Sequence, residues 1–257
     1  MGLSGLVALS AAANAAVISP GTPVAGISQA TLADQWWAEW APPIPAATNP
    51  ILDQTGAFAG VNNNGPVFFL AGSGGSGNTT RTINVPAGVP LFFPIVNGSD
   101  MELPLGSPGT CVTTSPPSAA DSACARAFLH PPLAPSFVPA SLTAKLDGVP
   151  LDPNLIANAA SYYQESAELV ATVLPPGNVY GIPATNAWIV QNGYYMAIDG
   201  LTPGQHILSF SGDMLYGDGQ TVSYGTTDTL NVVPERVSLV SFATGLAALG
   251  LVRRRRL

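Results

Sequence analysis

The feature that most limits what this chain can fold into is a recurring pattern of short runs, apolar at every second residue, each closed by Gly or Pro. Residues 141–147 (SLTAKLD) are the clearest case, and Gly148 follows at once. A period of two puts alternate side chains on opposite faces of a strand, and Asp-Gly is a favoured two-residue hairpin turn. Residues 66–71, 80–85, 90–97, 167–174, 194–198 and 205–210 read the same way, and Thr221–Val233 supplies a last strand or pair. Pro86-Ala87-Gly88 reads as a turn between antiparallel neighbours. With 27 Gly and 25 Pro in 257 residues, the punctuation suits many short strands. The pattern predicts a mainly β protein: an antiparallel β-sandwich, jelly-roll-like, over residues 28–232. A chain of this length can bury a sizeable core as one domain.

Residues 98–140 interrupt the pattern and read as a Pro-rich insertion. They hold both cysteines, Cys111 and Cys124, separated by twelve residues rich in Ser, Thr, Pro and Ala. In an exported protein such a pair forms a disulfide, and closing a loop of this size contributes roughly 3 kcal/mol in the chain-entropy model. Metal ligation is the competing reading, but only His130 lies nearby. Ahead of the strands, residues 28–45 read SQATLADQWWAEWAPPIP. Thr31 with Asp34 is a candidate N-cap arrangement, and Pro42-Pro43 ends the short helix. Trp36 and Trp40 share a face of that helix with Trp37 beside them. Such a stripe is either core, plugging one end of the sandwich, or a platform on which sugars stack.

Charge narrows the partners. Only 9% of residues are charged, against about a quarter in typical domains. Residues 17–235 carry Arg81, Arg126 and Lys145 against fifteen acidic side chains, a net charge of −12. Nucleic acid and anionic membranes both need clustered Lys and Arg, so neither is an expected partner of this body. No catalytic residue is assigned. The two histidines, His130 and His206, are far apart in sequence, no nucleophile-elbow motif is present, and no zinc or iron ligand pattern exists. Glu165 with Glu168, or Asp213 with Asp218, could pair for glycoside hydrolysis. Asp213 and Asp218 flank a Gly-rich turn and could hold calcium, although the spacing is not that of an EF-hand. No other cofactor is expected. Trp188, Tyr194 and Tyr195 are the aromatics singled out for contact with a ligand.

The two ends carry addresses. Residues 1–16 (MGLSGLVALSAAANAA) form an apolar run ending in Ala13-Asn14-Ala15, the A-x-A pattern cut by signal peptidase, without a basic n-region. Val233-Pro234-Glu235-Arg236 precedes sixteen uncharged residues, 237–252, and then Arg253, Arg254, Arg255 and Arg256. As a helix that stretch would be roughly 24 Å long, short of the ~30 Å hydrocarbon core unless the flanking Arg side chains snorkel. The arginines keep the extreme C-terminus cytoplasmic and act as a membrane stop. Residues 233–257 resemble the PEP-CTERM sorting domain, with Arg236 in place of the usual second Pro. The resemblance implies recognition of Pro234 and Glu235 by an exosortase-like enzyme, an inner-membrane intermediate, and delivery to the surface of a Gram-negative bacterium. The segments WWAEWAPPIPAATNPILDQTG, GPVFFLAGSGG, VPAGVPLFFPIVN and GLTPGQHILSFSG also resemble a family of secreted bacterial proteins with no established activity. Three function classes follow: a non-catalytic surface or matrix protein associated with exopolysaccharide, a secreted hydrolase, and a self-assembling adhesive module.

Overall fold

The computed structural model describes residues 15–75 and 77–234. Two sheets carry the fold. The first contains β1 (Ala16–Ile18), β2 (Phe68–Phe69), β4 (Leu91–Glu102), β7 (Tyr163–Glu165), β8 (Val170–Leu174) and β9 (Thr185–Asp199). Its path is β1-β9-β4-β2, with β7 and β8 also paired to β9. The second contains β3 (Asn78–Pro86), β5 (Ser136–Leu146), β6 (Val149–Pro150), β10 (Gly204–Leu215) and β11 (Thr221–Val233), in the order β3-β11-β10-β5-β6.

The expectation of purely antiparallel sheets needs correcting, because each sheet is mixed. β2 runs parallel to β4, and β3 runs parallel to β11. The cause lies at Pro86-Ala87-Gly88. It does not close a hairpin; it turns a corner from β3 in one sheet to β4 in the other. With its successor in the other sheet, β3 takes β11 as its neighbour. The hairpin at Asp147-Gly148 is as the sequence predicts: both residues have positive φ, 52° and 81°, and β5 pairs with β6 across them.

The sheets share one core. Phe93, Met196 and Ile198 of the first meet Ile83, Leu208 and Leu230 of the second, and the rings of Phe93 and Phe210 lie 4.8 Å apart. Burying each such side chain contributes roughly 1.5–3 kcal/mol. The approach is so close at β10 that a Cβ on Gly212 would sit 2.7 Å from Val96. The fold is thus β-sandwich-like, with a third layer on one side.

That layer explains why β9 is buried on both faces. Met196 and Ile198 point into the shared core, whereas Tyr195 and Ala197 face the Trp-rich segment. Here α1 (Gln29–Gln35) runs into a π-helical turn, Trp36–Trp40. Ser28, not Thr31 with Asp34, caps α1, accepting from the Thr31 N–H at 3.1 Å. Trp36 and Trp40 are core residues, donating to the Leu70 and Val61 carbonyls at 2.9 and 3.0 Å. The segment lies across the outer face of the first sheet and does not plug an end.

The stretch 98–140 is more ordered than its prolines imply. β4 extends to Glu102, α2 (Ala119–Ala127) occupies the middle, and β5 begins at Ser136. Ser118 and Asp121 form a capping box that starts α2. Cys111 and Cys124 form the expected disulfide, their Cα atoms 5.7 Å apart. Val112 of the closed loop, with Ala125 and Leu129 just beyond it, packs against Val190 of β9. Among the described residues no helix is long and apolar enough to cross a membrane. Glu235, Arg236, the span 237–252 and Arg253 to Arg256 lie outside the described residues, as does the leader up to residue 14. Val233 ends β11, and Pro234 is exposed.

Candidate functional site

An open cleft of about 390 Å³ lies between β4 of the first sheet and the β10–β11 hairpin of the second. β2 covers β4 only at Leu91 and Phe92, and β3 begins opposite Gly225 of β11. Pro94, Ile95, Val96 and Asn97 of β4 and Tyr224 and Thr226 of β11 line the cleft together. Trp36 and Trp37 close one wall, Val179 and Tyr180 another, and Met214, Tyr216, Tyr224 and Thr226 form the side given by the second sheet. The loop Gly72-Ser73-Gly74-Gly75 forms the rim. Gly74 sits at φ 60°, where a Cβ would run into the Ile51 carbonyl, so the close approach of that loop requires glycine.

The lining is aromatic with a few polar atoms set into it. Tyr216 and Tyr224 share a hydrogen bond at 2.6 Å across the β10–β11 hairpin. Burial, followed by the Tyr216 hydroxyl, pushes the Tyr224 phenol up to about 12. Burial pushes Tyr180 up to about 12 as well. Both are therefore neutral hydroxyls at physiological pH. Behind the wall runs a buried polar relay. Asp34 accepts from Ser166 Oγ at 2.6 Å and from Gln191 Nε2 at 3.2 Å. Gln191 Oε1 accepts from the Tyr195 hydroxyl at 2.8 Å. Tyr195 has a single hydroxyl hydrogen and gives it to Gln191, so its oxygen accepts from Trp37 Nε1 at 3.2 Å and Asn97 Nδ2 at 3.1 Å. Burial raises the Asp34 carboxyl, its hydrogen bonds opposing.

Beneath the cleft the inner face of β11 is polar. Thr226 is 3% exposed, and its Oγ1 has no hydrogen-bond partner among the described residues. Two residues on, Asp228 is fully buried 4.0 Å from Arg81, and neither of its oxygens is hydrogen-bonded. Arg81 donates instead to the carbonyls of Asp53, Ala71 and Gly72.

No protein-family model matches the chain, and no curated protein matches it. The cleft is therefore read from its own residues.

The structure places the aromatics chosen from the sequence elsewhere. Tyr195 is fully buried, and Tyr194 is buried in the shared core. Trp188 is half-buried against the disulfide-closed loop. Neither tyrosine offers an open face, because β9 is covered on both sides. Glu165 and Glu168 are not paired. Glu165 accepts from the Tyr163 hydroxyl at 2.8 Å and lies 3.2 Å from His130, while Glu168 is exposed. His206 bonds Asp147 at 2.8 Å beside the β5–β6 turn. Among the described residues no group of three or more His, Cys, Asp or Glu is placed to hold a metal. Asp213 lies in β10, and Asp218 accepts from the Gln220 N–H as a turn former.

One acidic pair escaped the sequence reading. Asp100 and Glu102 are two apart on one face of β4. Glu102 accepts from Thr110 Oγ1 at 2.8 Å and from the Cys111 N–H at 2.6 Å, tying the disulfide loop to the strand. Burial, then the Glu102 charge, raises Asp100 to about 7. The signal was present as D-x-E within a strand continuing past Asn97.

Proposed function

We propose that this is an exported, surface-directed, non-catalytic protein that binds exopolysaccharide through the aromatic cleft. The frame is read as a jelly-roll-like sandwich, delivered by signal peptidase at the N-terminal leader and by an exosortase-like enzyme at the PEP-CTERM-like tail. The observation that carries the binding reading is the cleft itself, with Trp37, Tyr180, Tyr216 and Tyr224 around one open cavity. Aromatic faces take the apolar face of a sugar ring, while hydroxyl and amide groups beside them orient its polar edge. The disulfide fits an oxidising compartment outside the cytoplasm.

Retention on immobilised exopolysaccharide tests this. Trp37→Ala should lower affinity at least about tenfold, a loss of about 1.4 kcal/mol, whereas Trp188→Ala, outside the cleft, should leave it unchanged. Equal retention of Trp37→Ala and the parent protein would sink the cleft as the binding site.

A further inference from the structure

We propose that the cleft selects an uncharged sugar residue, with Asn97 Oδ1 and Thr226 Oγ1 accepting hydrogens from its hydroxyls. This rests on the glycan-binding reading above and specifies its ligand class.

Three observations converge on that class. First, among the described residues none that lines the cleft carries a charge; beyond the indole N–H groups of Trp36 and Trp37, which are already bonded, its polar side chains are Ser73, Asn97, Tyr180, Tyr216, Tyr224 and Thr226. A uronate carboxylate would find no cation in that lining: Arg81, the cation behind it, is buried with its donors committed to the Asp53, Ala71 and Gly72 carbonyls, and the body as a whole carries a net charge of −12. Like charge disfavours both the encounter and the bound state.

Second, the relay fixes Asn97. Tyr195 must receive a hydrogen from the Asn97 amide, because its own goes to Gln191. The amide nitrogen is thus turned to the wall, and Oδ1 is left as an acceptor for the cleft. Tyr195 is a positioning residue: it is fully buried and lines none of the cleft. Third, Thr226 is held on the inner face of β11 with a buried hydroxyl that has no partner among the described residues. Buried polar groups are nearly always paired, and an unpaired one lining a cavity marks where a ligand group or water belongs. Its β-branched side chain has little χ1 freedom, so the hydroxyl is pre-set. A site built to bond a hydroxyl discriminates strongly against a ligand that lacks one.

Calorimetric titration of the full chain with neutral hexamers (laminarihexaose, cellohexaose, mannohexaose) and uronate hexamers (mannuronate, galacturonate) tests the assignment. At least one neutral hexamer should bind about tenfold tighter than either uronate. Thr226→Val, which keeps the shape and removes the hydroxyl, should weaken that hexamer about tenfold, and Thr226→Ser should hold most of the affinity. Tyr195→Phe changes no lining residue but removes the oxygen that accepts from Asn97 Nδ2 and Trp37 Nε1, freeing the Asn97 amide to flip, so it should weaken binding several-fold; a matched thermal melt separates this from loss of fold. Uronates bound as well as neutral hexamers would overturn the neutral selection while leaving glycan binding intact. Unchanged affinity in both Thr226→Val and Tyr195→Phe would overturn the two contacts. Binding of no hexamer would overturn this inference and the glycan reading together.

Discussion

Asp228 gives the sharpest test of the energetics. Its carboxyl is fully buried, and its nearest cation, Arg81, is 4.0 Å away with donors already committed to three carbonyls. Desolvation exceeds the attraction to Arg81 and raises the carboxyl from its ordinary 3.8 to about 7. Below pH 4 the group is neutral whether the chain is folded or not. Between pH 4 and 7 the unfolded chain releases this proton while the folded protein keeps it, so stability falls as pH rises. Above pH 7 both states are ionised and the loss levels off. At about 1.4 kcal/mol per pH unit, the interval between 3.8 and about 7 corresponds to roughly 4 kcal/mol. Asp228→Asn removes the titration and nearly preserves volume. Urea unfolding of both proteins at half-unit steps from pH 4 to 8 should show the variant gaining on the parent by up to roughly 4 kcal/mol across that range. Asp34 and Asp100 are also raised, but they titrate in both proteins and cancel in the difference. A stability difference that stays constant from pH 4 to 8 would refute the reasoning.

Two further outcomes follow from the fold. Replacing Cys111 and Cys124 by Ser should cost roughly 3 kcal/mol, and amide exchange should show α2 losing protection while β9 and β10 keep theirs. At Gly193, with φ 152°, an added Cβ would lie 2.6 Å from the Asn97 Cα, so Gly193→Ala must push β9 and β4 apart. It should cost roughly 2–3 kcal/mol in urea unfolding, and glycan affinity should fall with it because Asn97 moves.

The strands were legible because alternation at residues 141–147 and 205–210 follows directly from a half-buried sheet. Their partners were not. Nothing local distinguishes a turn that closes a hairpin from one that crosses between sheets, so Pro86-Ala87-Gly88 was read as the former. In the insertion the prolines predict loop, while Ser118-Ala-Ala-Asp121 carries a capping-box pattern that starts α2. Helical spacing leaves the Trp stripe as core or as a platform, and the structure buries Trp36 and Trp40 while Trp37 lines the cleft. The cleft was illegible. Trp37, Asn97, Tyr180, Tyr216, Tyr224 and Thr226 come from five separate stretches of chain, and only the tertiary fold brings them together. Tyr194 and Tyr195, by contrast, carry no local sign of which way they face. On a strand adjacent residues point to opposite faces, and here both faces are covered.

The position of β11 bears on how the molecule would respond to being held. Its final residues pair with β10 on one side and β3 on the other, and Val233 lies opposite Pro86 with its carbonyl bonded to the Ala87 N–H. Tension applied at Pro234 would therefore run along the strand, across the perpendicular rungs of the antiparallel ladder and the slanted rungs of the parallel one. Those rungs would be strained in shear together and could not break in succession as in a peeling edge strand.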